Sequence, residues 1–571
     1  MAIDYPTALD SFTDKQDNID VVQAVDINDV QDACMALEEK VGIDNSTVTT
    51  SHDYKISTLE GHLESIVFAV DYDSFADAVS DIGSNNVTLI TSTSLTLTDN
   101  VTVPSNISII ALEGTLFSGA YDLTINGSFS AGLYQVFDRD VNVTGNPRIK
   151  YAYPEWFGAE GDGVTDDIAA IQCLIDSIDS FSTGEARTTP VFLSNNIYYI
   201  SNSINFKRYT RLISNGAKLL YGGTGVAVNC VGNDTSYVYP VIKGVTIEKD
   251  SLDNIGTGIL IDHSRFGGYF EDVVIQGFEY GIIHQDSWLN IFVDVKVKSN
   301  TYGALFKQSS NGVSIRDCFF NSNSDYGLKA ETSTNLRVVN CEFEGNGGSA
   351  VIFDGSRSSI IAGNYFEGNG SPHIKVYEST GTDYSYMIQI LNNYMQGLGT
   401  AANGIVIERT QDTCILGNKI INFTSYAIDL SSTTASRMKA LFNALTDNGG
   451  TINVNLNALG ESLIFDDYNE IMYKAFLTMA AKTPAFILKD EEHDTAISIT
   501  QSNTKTYIRN IDNNPLATID HTSRQFSEFA LQTGSTRPSS PRLGQLFLDT
   551  SINKLIWFDG TNWRDTQGTI V

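Results

Sequence analysis

GILID (258–262), GIIHQ (281–285), GALFK (303–307), GLKAE (327–331), AVIFD (350–354), HIKVY (373–377), GIVIE (404–408) and AIDLS (427–431) are one strand written again and again through the middle of the chain. Successive phrases lie 23, 22, 24, 23, 23, 31 and 23 residues apart. That interval is too short for a strand–helix–strand unit, and no helical period fills the gaps. Each phrase is therefore read as one strand in one coil of a β-solenoid. Alternation with period 2 turns Ile259, Ile282, Leu328, Val351, Ile374, Ile405 and Ile428 inward and the fifth residue of each phrase outward.

A second strand recurs in register with the first, ending at Ile247, Ile275, Val297, Phe320, Phe343, Phe366, Met395 and Ile420. Five residues before each endpoint stands another apolar side chain, Ile242, Phe270, Phe292, Ile315, Val338, Ile361, Ile390 or Ile415. Such columns stack along an interior wall. Two residues before the endpoints, Asn364, Asn393 and Asn418 follow Cys318 and Cys341 in one column. Their amides are placed to hydrogen-bond from coil to coil at the strand spacing of about 4.8 Å.

Composition narrows the function. With 36 Lys+Arg against 68 Asp+Glu the net charge is -32, which repels a phosphate backbone over most of the surface and disfavours nucleic acid as a partner. No apolar run approaches the roughly 18 residues that span a bilayer. The opening MAIDYPTALD has neither a basic region nor an apolar core, so no signal peptide is read there, and a position outside the cell would need lysis or a dedicated machine. Cysteines at 34, 173, 230, 318, 341 and 414 lack metal-ligand spacing and are read as reduced. Neither a metal nor a cofactor is expected.

Towards the front, Ile27, Val30, Cys34, Leu37 and Val41 have helical spacing after Asp26 or Asn28 as caps and before Gly42 as a stop. Ile56, Leu59, Leu63 and Ile66 continue at 3- and 4-residue steps, fitting a short coiled-coil neck or one amphipathic helix. From Asn86 to Asn146 the chain is rich in Thr, Val and Ile with Gly and Asn punctuation, which reads as strand after strand.

YPEWFGAEGDGVTDDIAAIQ (153–172), with an apolar helical pattern through Ile175 and Ile178, resembles the entry motif of the pectate-lyase-like β-helix superfamily in the form common to bacteriophage tailspikes. SFADAVSDIGSNNVTLI and NVTVPSNISIIALEGTL before it, YPTALDSFTD with ACMALEEKVG at the front, and GSTRPSSPRLGQLFLDTSINKLIWFDGTNWRDTQG at the back are similar to further parts of such proteins. The resemblance implies an all-β, right-handed parallel β-helix and a homotrimer on the phage tail, extracellular after release. It further implies binding to a bacterial surface polysaccharide and, in most relatives, its depolymerisation. The corresponding division is a virion-attachment head and neck over 1–66, a small β domain over 67–152, the β-helix over 153–440, a β/trimerisation region over 441–533 and a terminal aromatic module over 534–571. Within the entry motif the resemblance makes Gly158, Gly161 and Gly163 turn residues and Thr165 or Asp166 a helix cap, so Glu155, Glu160, Asp162, Asp166 and Asp167 are structural.

Chemistry belongs where an outward polar column meets an irregular loop, because a regular wall offers no pocket. The column of fifth residues reads Asp262, Gln285, Lys307, Glu331, Asp354, Tyr377, Glu408 and Ser431. From the first strand to the endpoint of the second takes 16 or 17 residues in six coils but 22 from His373 to Met395. The extra loop around Glu378 to Tyr386 stands beside Asp354 and Glu408 and brings Tyr384 and Tyr386 as surfaces for sugar rings. Glycoside hydrolysis needs one carboxylic acid and one carboxylate. Coil spacing gives about 4.8 Å for Glu331 with Asp354 and about 9.6 Å for Asp354 with Glu408, near the retaining and inverting separations. Glu344 and Glu367, in the duplicated phrase FEGNG, form a rival column. Tyr377, Glu378, Tyr384, Tyr386, Lys307 and Trp288 are the candidate substrate contacts.

Some residues have plainer readings. His284 falls on an inward column, Tyr280, Tyr302 and Tyr326 form a ladder open to sugars or to a neighbouring subunit, and Trp557, Phe558 and Trp563 read as a module core. An endo-glycosidase is the leading activity. A polysaccharide lyase, with Lys307, Lys375, His373 or Arg409 as base, and a non-catalytic adhesin are the alternatives; the acidic charge of the chain tilts against a polyanionic substrate.

Overall fold

The computed structural model describes residues 21–42, 46–47, 49–50, 51–63, 65–180, 189–381, 384–431, 438–454, 463–464, 485–488, 497–501, 505–509, 515–520, 525–529, 532–539, 541 and 546–571. The chain divides into two compact units, the first holding 1–222 and 240–245, the second 223–239 and 246–571.

In the first unit a helix spans Ala24–Val41 and stops at Gly42, whose φ of 87° suits glycine. Its N-cap is Gln23, ahead of the expected Asp26 or Asn28; the Asp26 carboxylate instead accepts the Gln23 N–H at 2.9 Å, as an acid in a first turn should. A second helix ends at Leu63, and Ile66 already belongs to the strand Ile66–Phe68, so the 3–4 spacing read through Ile66 does not continue as helix. The Thr/Val-rich stretch that follows is itself a small stack of parallel coils. Val87 pairs Ile107, Ile109 pairs Phe129 and Leu123 pairs Val143, a 20-residue step.

The entry motif is structural in every carboxylate whose bonds are described. Gly158, Gly161 and Gly163 all have positive φ. Asp162 accepts the N–H groups of Val164 and Thr165 at 2.8 and 2.7 Å, and Glu155 accepts the Tyr198 hydroxyl at 2.7 Å. Asp167 accepts the N–H groups of Glu160 and Gly161, although burial pushes its carboxyl up to about 6. Asp166 takes the Ile168 N–H at the start of the helix Ile168–Ser180.

Through Gly450–Val454 and Leu463–Ile464 the second unit is a right-handed parallel β-helix, and the strands described between residues 485 and 529 form an antiparallel sheet. One wall carries the recognised phrases, with Thr257–Asp262 on Tyr280–Gln285 on Tyr302–Lys307 and onward. The second sequence strand is in fact two, such as Tyr269–Glu271 and Val274–Gln276, so each coil has three walls. The residue between them is left-handed in every coil: Asp272, Asp294, Asp317, Asn340, Gly363, Asn392, Gly417 and Phe442. Asp, Asn and Gly tolerate that conformation best, and they bend what would otherwise be one strand. The ladders run past residue 440, through Ala444–Thr446 and Gly450–Val454.

The core is a set of stacks. Phe320, Phe343 and Phe366 lie ring on ring at 4.9 and 5.0 Å. At the start of the phrase wall, a Cβ on Gly303 would lie 2.0 Å from the Gly327 carbonyl oxygen, which is why glycine recurs there. The expected amide ladder is present, Asn364 to Asn393 to Asn418 at 2.9 Å each, and it reaches Asn443. A second ladder links Asn300, Asn323, Asn346 and Asn369 at 3.2, 2.8 and 2.7 Å. Cys318 and Cys341 are free, like the other four cysteines. In the terminal module Phe547, Ile556 and Trp563 form the core. Trp557, expected inside, is 36% exposed because alternation along Lys554–Phe558 turns it away from Ile556.

His284 is buried and bonded to Ser310 at 2.8 Å and Asn290 at 2.9 Å. His373 is buried between Phe366 and Phe423, without a well-formed hydrogen bond to either ring nitrogen among the described residues. Burial lowers the first to about 3 and the second to about 4. Both stay neutral in the fold while the unfolded chain protonates them below about 6.5, so stability is present above that pH and falls as pH drops towards 4. About 3 kcal/mol per histidine should be lost over that span. Thermal melts from pH 7 to 4.5 check this, and His373→Phe should flatten the slope without loss at pH 7; an unchanged slope would remove His373 from the account.

Candidate functional site: a corner groove beside a carboxylate column

Where each coil leaves the phrase wall, a left-handed residue turns the chain: His263, Asp286, Gln308, Thr332, Gly355 and Arg409 do so. A buried hydroxyl follows and anchors the corner to the coil below, as Ser310 does on the His284 carbonyl at 2.9 Å and Ser356 on that of Ala330 at 3.1 Å. The next residue points out. Those residues, Arg265, Trp288, Asn311, Thr334, Arg357 and Tyr386, bridge one another in parallel from coil to coil.

Along this row lies a groove of about 520 Å³. Trp288, Asn311, Thr334 and Arg357 form its floor, Ser309, Thr332 and Gly355 come from the turns, and Glu378 and Thr380 come from the extra loop. An aromatic ring, a guanidinium and several hydroxyl and amide groups make a polar surface with one flat apolar wall, a set suited to a sugar chain.

The extra loop is held by Glu378. Its side chain is buried and accepts the N–H groups of Thr380 and Gly381 at 2.8 Å each, with the Thr380 hydroxyl and, at 3.5 Å, the Arg409 guanidinium beside it. Glu378 therefore fixes the groove wall. Ser385–Tyr386 pairs with Thr410–Gln411, closing the loop onto the next coil. Tyr384 lies under Arg409 at 5.5 Å and Tyr386 under Arg357 at 5.1 Å, so both rings are near the groove but already covered by a cation on one face. Residues 382–383 of the loop lie outside the described residues.

The fifth-residue column stands in register as read: Asp262 with Gln285, Gln285 with Lys307, Glu331 with Asp354, and Asp354 with Tyr377. It runs along the rim of the groove, since Thr332 and Gly355, which line it, directly follow Glu331 and Asp354. Each carboxylate has a partner. Glu331 meets Lys329 at 2.6 Å, Asp354 accepts the Ser379 N–H at 2.9 Å, and Glu408 lies 3.4 Å from Lys375. Burial would lower Lys329, but the Glu331 carboxylate outweighs it and holds the ammonium above its ordinary range. Burial, with Asp354 nearby, raises the Tyr377 phenol, which keeps it a neutral donor. Lys375 also lies over the Tyr377 ring at 4.6 Å. Lys307 is half-buried in the same column.

The rival carboxylates Glu344 and Glu367 pair across adjacent coils of a wall rather than at this corner. Tyr365 donates to Glu367, and that bond, with burial, pushes its phenol up to about 12; burial and the neighbours Glu344 and Glu367 raise Glu342. Tyr280, Tyr302 and Tyr326 stack on one another at 4.8 and 4.9 Å, so the inner ring faces are used within the ladder and only edges and ends are left for a ligand.

Sequence reasoning found Trp288 and the extra loop but passed over Asn311, Thr334 and Arg357. The signal was there: Arg265, Trp288, Asn311, Thr334 and Arg357 follow one another at steps of 23 residues. Their chemical variety hides the column, since only apolar or amide stacks attract attention as repeats.

Residues 280–445 match a family model described as "Right handed beta helix region". The parallel β-helix is thus the class that fold and family model define together. No curated protein matches the chain. Among solved structures it is similar in fold to the DFA-IIIase of Arthrobacter chlorophenolicus A6, with TM-score 0.46 and 11% identity over 57% of this chain and 95% of that one. The Dettilon tailspike protein gives TM-score 0.43 and 14% identity over 63% and 78%. ORF18 of Geobacillus virus E2 gives TM-score 0.42 and 15% identity over 74% and 86%.

Proposed function

We propose that this chain is a phage tailspike that binds a bacterial surface polysaccharide, whether capsule, O-antigen or exopolysaccharide, and depolymerises it by glycoside hydrolysis as a homotrimer on the virion tail. The order of sequence motifs supports the tailspike reading. The observation that carries the activity is the corner groove with a carboxylate column along its rim. A glycan lying on Trp288 and the hydroxyl and amide floor would place a glycosidic bond within reach of that rim. Asp354 then works with Glu331 one coil below or Glu408 two coils above, one group protonating the leaving oxygen and the other serving as base or nucleophile. The N-terminal segment attaches the spike to the phage tail.

Elimination is the weaker reading because three of its four candidate bases, all but Lys307, are committed. His373 is buried and held neutral, Lys375 pairs with Glu408, and Arg409 pairs with Glu378. The test is incubation with surface polysaccharides from a panel of bacteria, followed by fragment masses. Fragments that gain water support hydrolysis. Unsaturated, ultraviolet-absorbing ends would establish a lyase, and a glycan bound but left intact would establish an adhesin.

A further inference from the structure

The walls of the β-helix differ in what they turn outward. From Ile291–Val293 to Lys439–Leu441 the seven strands of the second wall contain no Asp or Glu, although the chain holds 68 of them against 36 Lys+Arg. The middle residue of each strand is buried, so its neighbours face out, and in the five upper coils one outward column reads Val339, Ala362, Leu391, Leu416 and Leu441. Such a row contributes nothing to the interior of a single chain. Over the same coils the corner beyond it loses its charge, from Asp294 and Asp317 to Asn340, Gly363, Asn392 and Gly417, and ends in Phe442, 63% exposed with a φ of 53°. A bulky side chain on left-handed backbone is costly, and holding it out in water adds to that cost.

Across that corner the third wall carries the opposite charge. Its strands Glu342–Glu344 and Tyr365–Glu367 turn Glu342, Glu344 and Glu367 outward on adjacent coils. Burial and the crowding of Glu344 and Glu367 hold the Glu342 carboxyl above its ordinary range. On the second wall Arg337 faces out in the coil of Glu342 and Glu344, and Arg316 in the coil before it. Arg316 lies 3.9 Å from Asp317, but Arg337 and the three glutamates form no ion pair among the described residues. Carboxylates gathered on one wall and a free cation on the next suit two copies set side by side better than a lone chain. Copies related by rotation about an axis along the stack keep their coils level, so Arg337 of one copy meets Glu342 and Glu344 of the next at the same height. Six coil steps make the second wall about 29 Å tall, close to the span of a contact of about 800 Å² per partner.

Resting on the homotrimer of the proposed function, we infer that its subunits meet along this corner: the second wall of each copy packs on the third wall of the next, with Leu391, Leu416 and Phe442 in the dry part of the contact and Arg337 paired with the glutamates. Two different faces meet, so the contact is heterologous and closes as a ring of three.

The test follows the assembly of the full chain by light scattering and sedimentation velocity over a dilution series. Leu416→Glu should raise the concentration of half-dissociation about a hundredfold, because it places an unpaired charge in the dry part of the contact. Arg337→Glu should raise it about tenfold through repulsion by the facing glutamates, and so should Glu344→Arg through repulsion by Arg337. Arg337→Glu combined with Glu344→Arg should recover most of that loss, which damage to the fold of each chain would not do. Trimers that persist unchanged in Leu416→Glu and Arg337→Glu, or a double reversal with no recovery, would overturn this interface and leave the trimer standing. Lower melting temperature in Leu416→Glu with unchanged assembly would also overturn it, and would show that the chain's own residues cover the wall. A wild-type chain that stays monomeric at every concentration would overturn both the interface and the trimer.

Discussion

Replacing Asp354 by Asn should lower polysaccharide turnover by about 10² to 10⁴ while leaving the fold and most of the glycan affinity in place. The substitution keeps the shape of the side chain and an oxygen able to accept the Ser379 N–H, which Asp354 takes at 2.9 Å, so the extra loop should stay seated. What it removes is a group that can donate and recover a proton or attack a sugar carbon. The loss should therefore appear in kcat rather than in KM. Glu331→Gln and Glu408→Gln identify the partner, because only the true partner should match the loss. A match at Glu331 would put the pair one coil apart and favour retention, whereas a match at Glu408 would put it two coils apart and favour inversion. Lys329 and Lys375 should then be read as the cations that position each glutamate, at 2.6 and 3.4 Å. Full activity in all three variants would rule out this column and move the search to Glu344 and Glu367.

The solenoid was legible because stacking forces identical burial on residues one coil apart. Ile259, Ile282 and Val351 are buried for the same reason, and the reason recurs every coil. Three walls read as two because a three-residue strand is too short to show alternation, and the bend between strands is set by backbone conformation. Its trace, the column Asp272, Asp294, Asp317, Asn340 and Gly363, is a turn signal inside what scans as a single strand. The second amide ladder hid similarly: Asn300, Asn323, Asn346 and Asn369 sit in polar phrases such as NSN and EGNG that read as loop. In the first unit the 20-residue register was masked by uniform Thr/Val composition, which marks strands but not their pairing.

For the site, loop length was the useful signal. The 22-residue connection after His373 located the groove wall, because extra chain on a solenoid has to leave the surface. The floor was missed because its side chains share a position and a direction but not a chemistry. Glu378 was read as a sugar contact from its place in the loop; its burial and its bonds to Thr380 and Gly381 give it a holding role that sequence cannot reveal.

Asn346→Leu should be among the most destabilising single changes in the second unit, although leucine is close to asparagine in size and the site is 1% exposed. The Asn346 amide donates to the Phe320 carbonyl at 2.8 Å and to Asn369 Oδ1 at 2.7 Å, and its oxygen accepts from the Asn323 N–H and amide at 3.2 and 2.8 Å. Leucine returns none of these bonds, and the partners are buried in neighbouring coils. At about 1 to 3 kcal/mol for each orphaned buried group, the total should reach about 4 kcal/mol or more. Chemical denaturation of the full chain reads the loss, and hydrogen exchange should place it in the coils around Asn323 and Asn369. The bonds are shared, so the costs are coupled. Asn323→Leu in the Asn346→Leu background should add less than it does alone, by about 1 kcal/mol, because the Asn323–Asn346 contact is already gone. Simple additivity would mean the amides act one by one on their own backbone carbonyls, and that the chain of amides from coil to coil contributes nothing of its own.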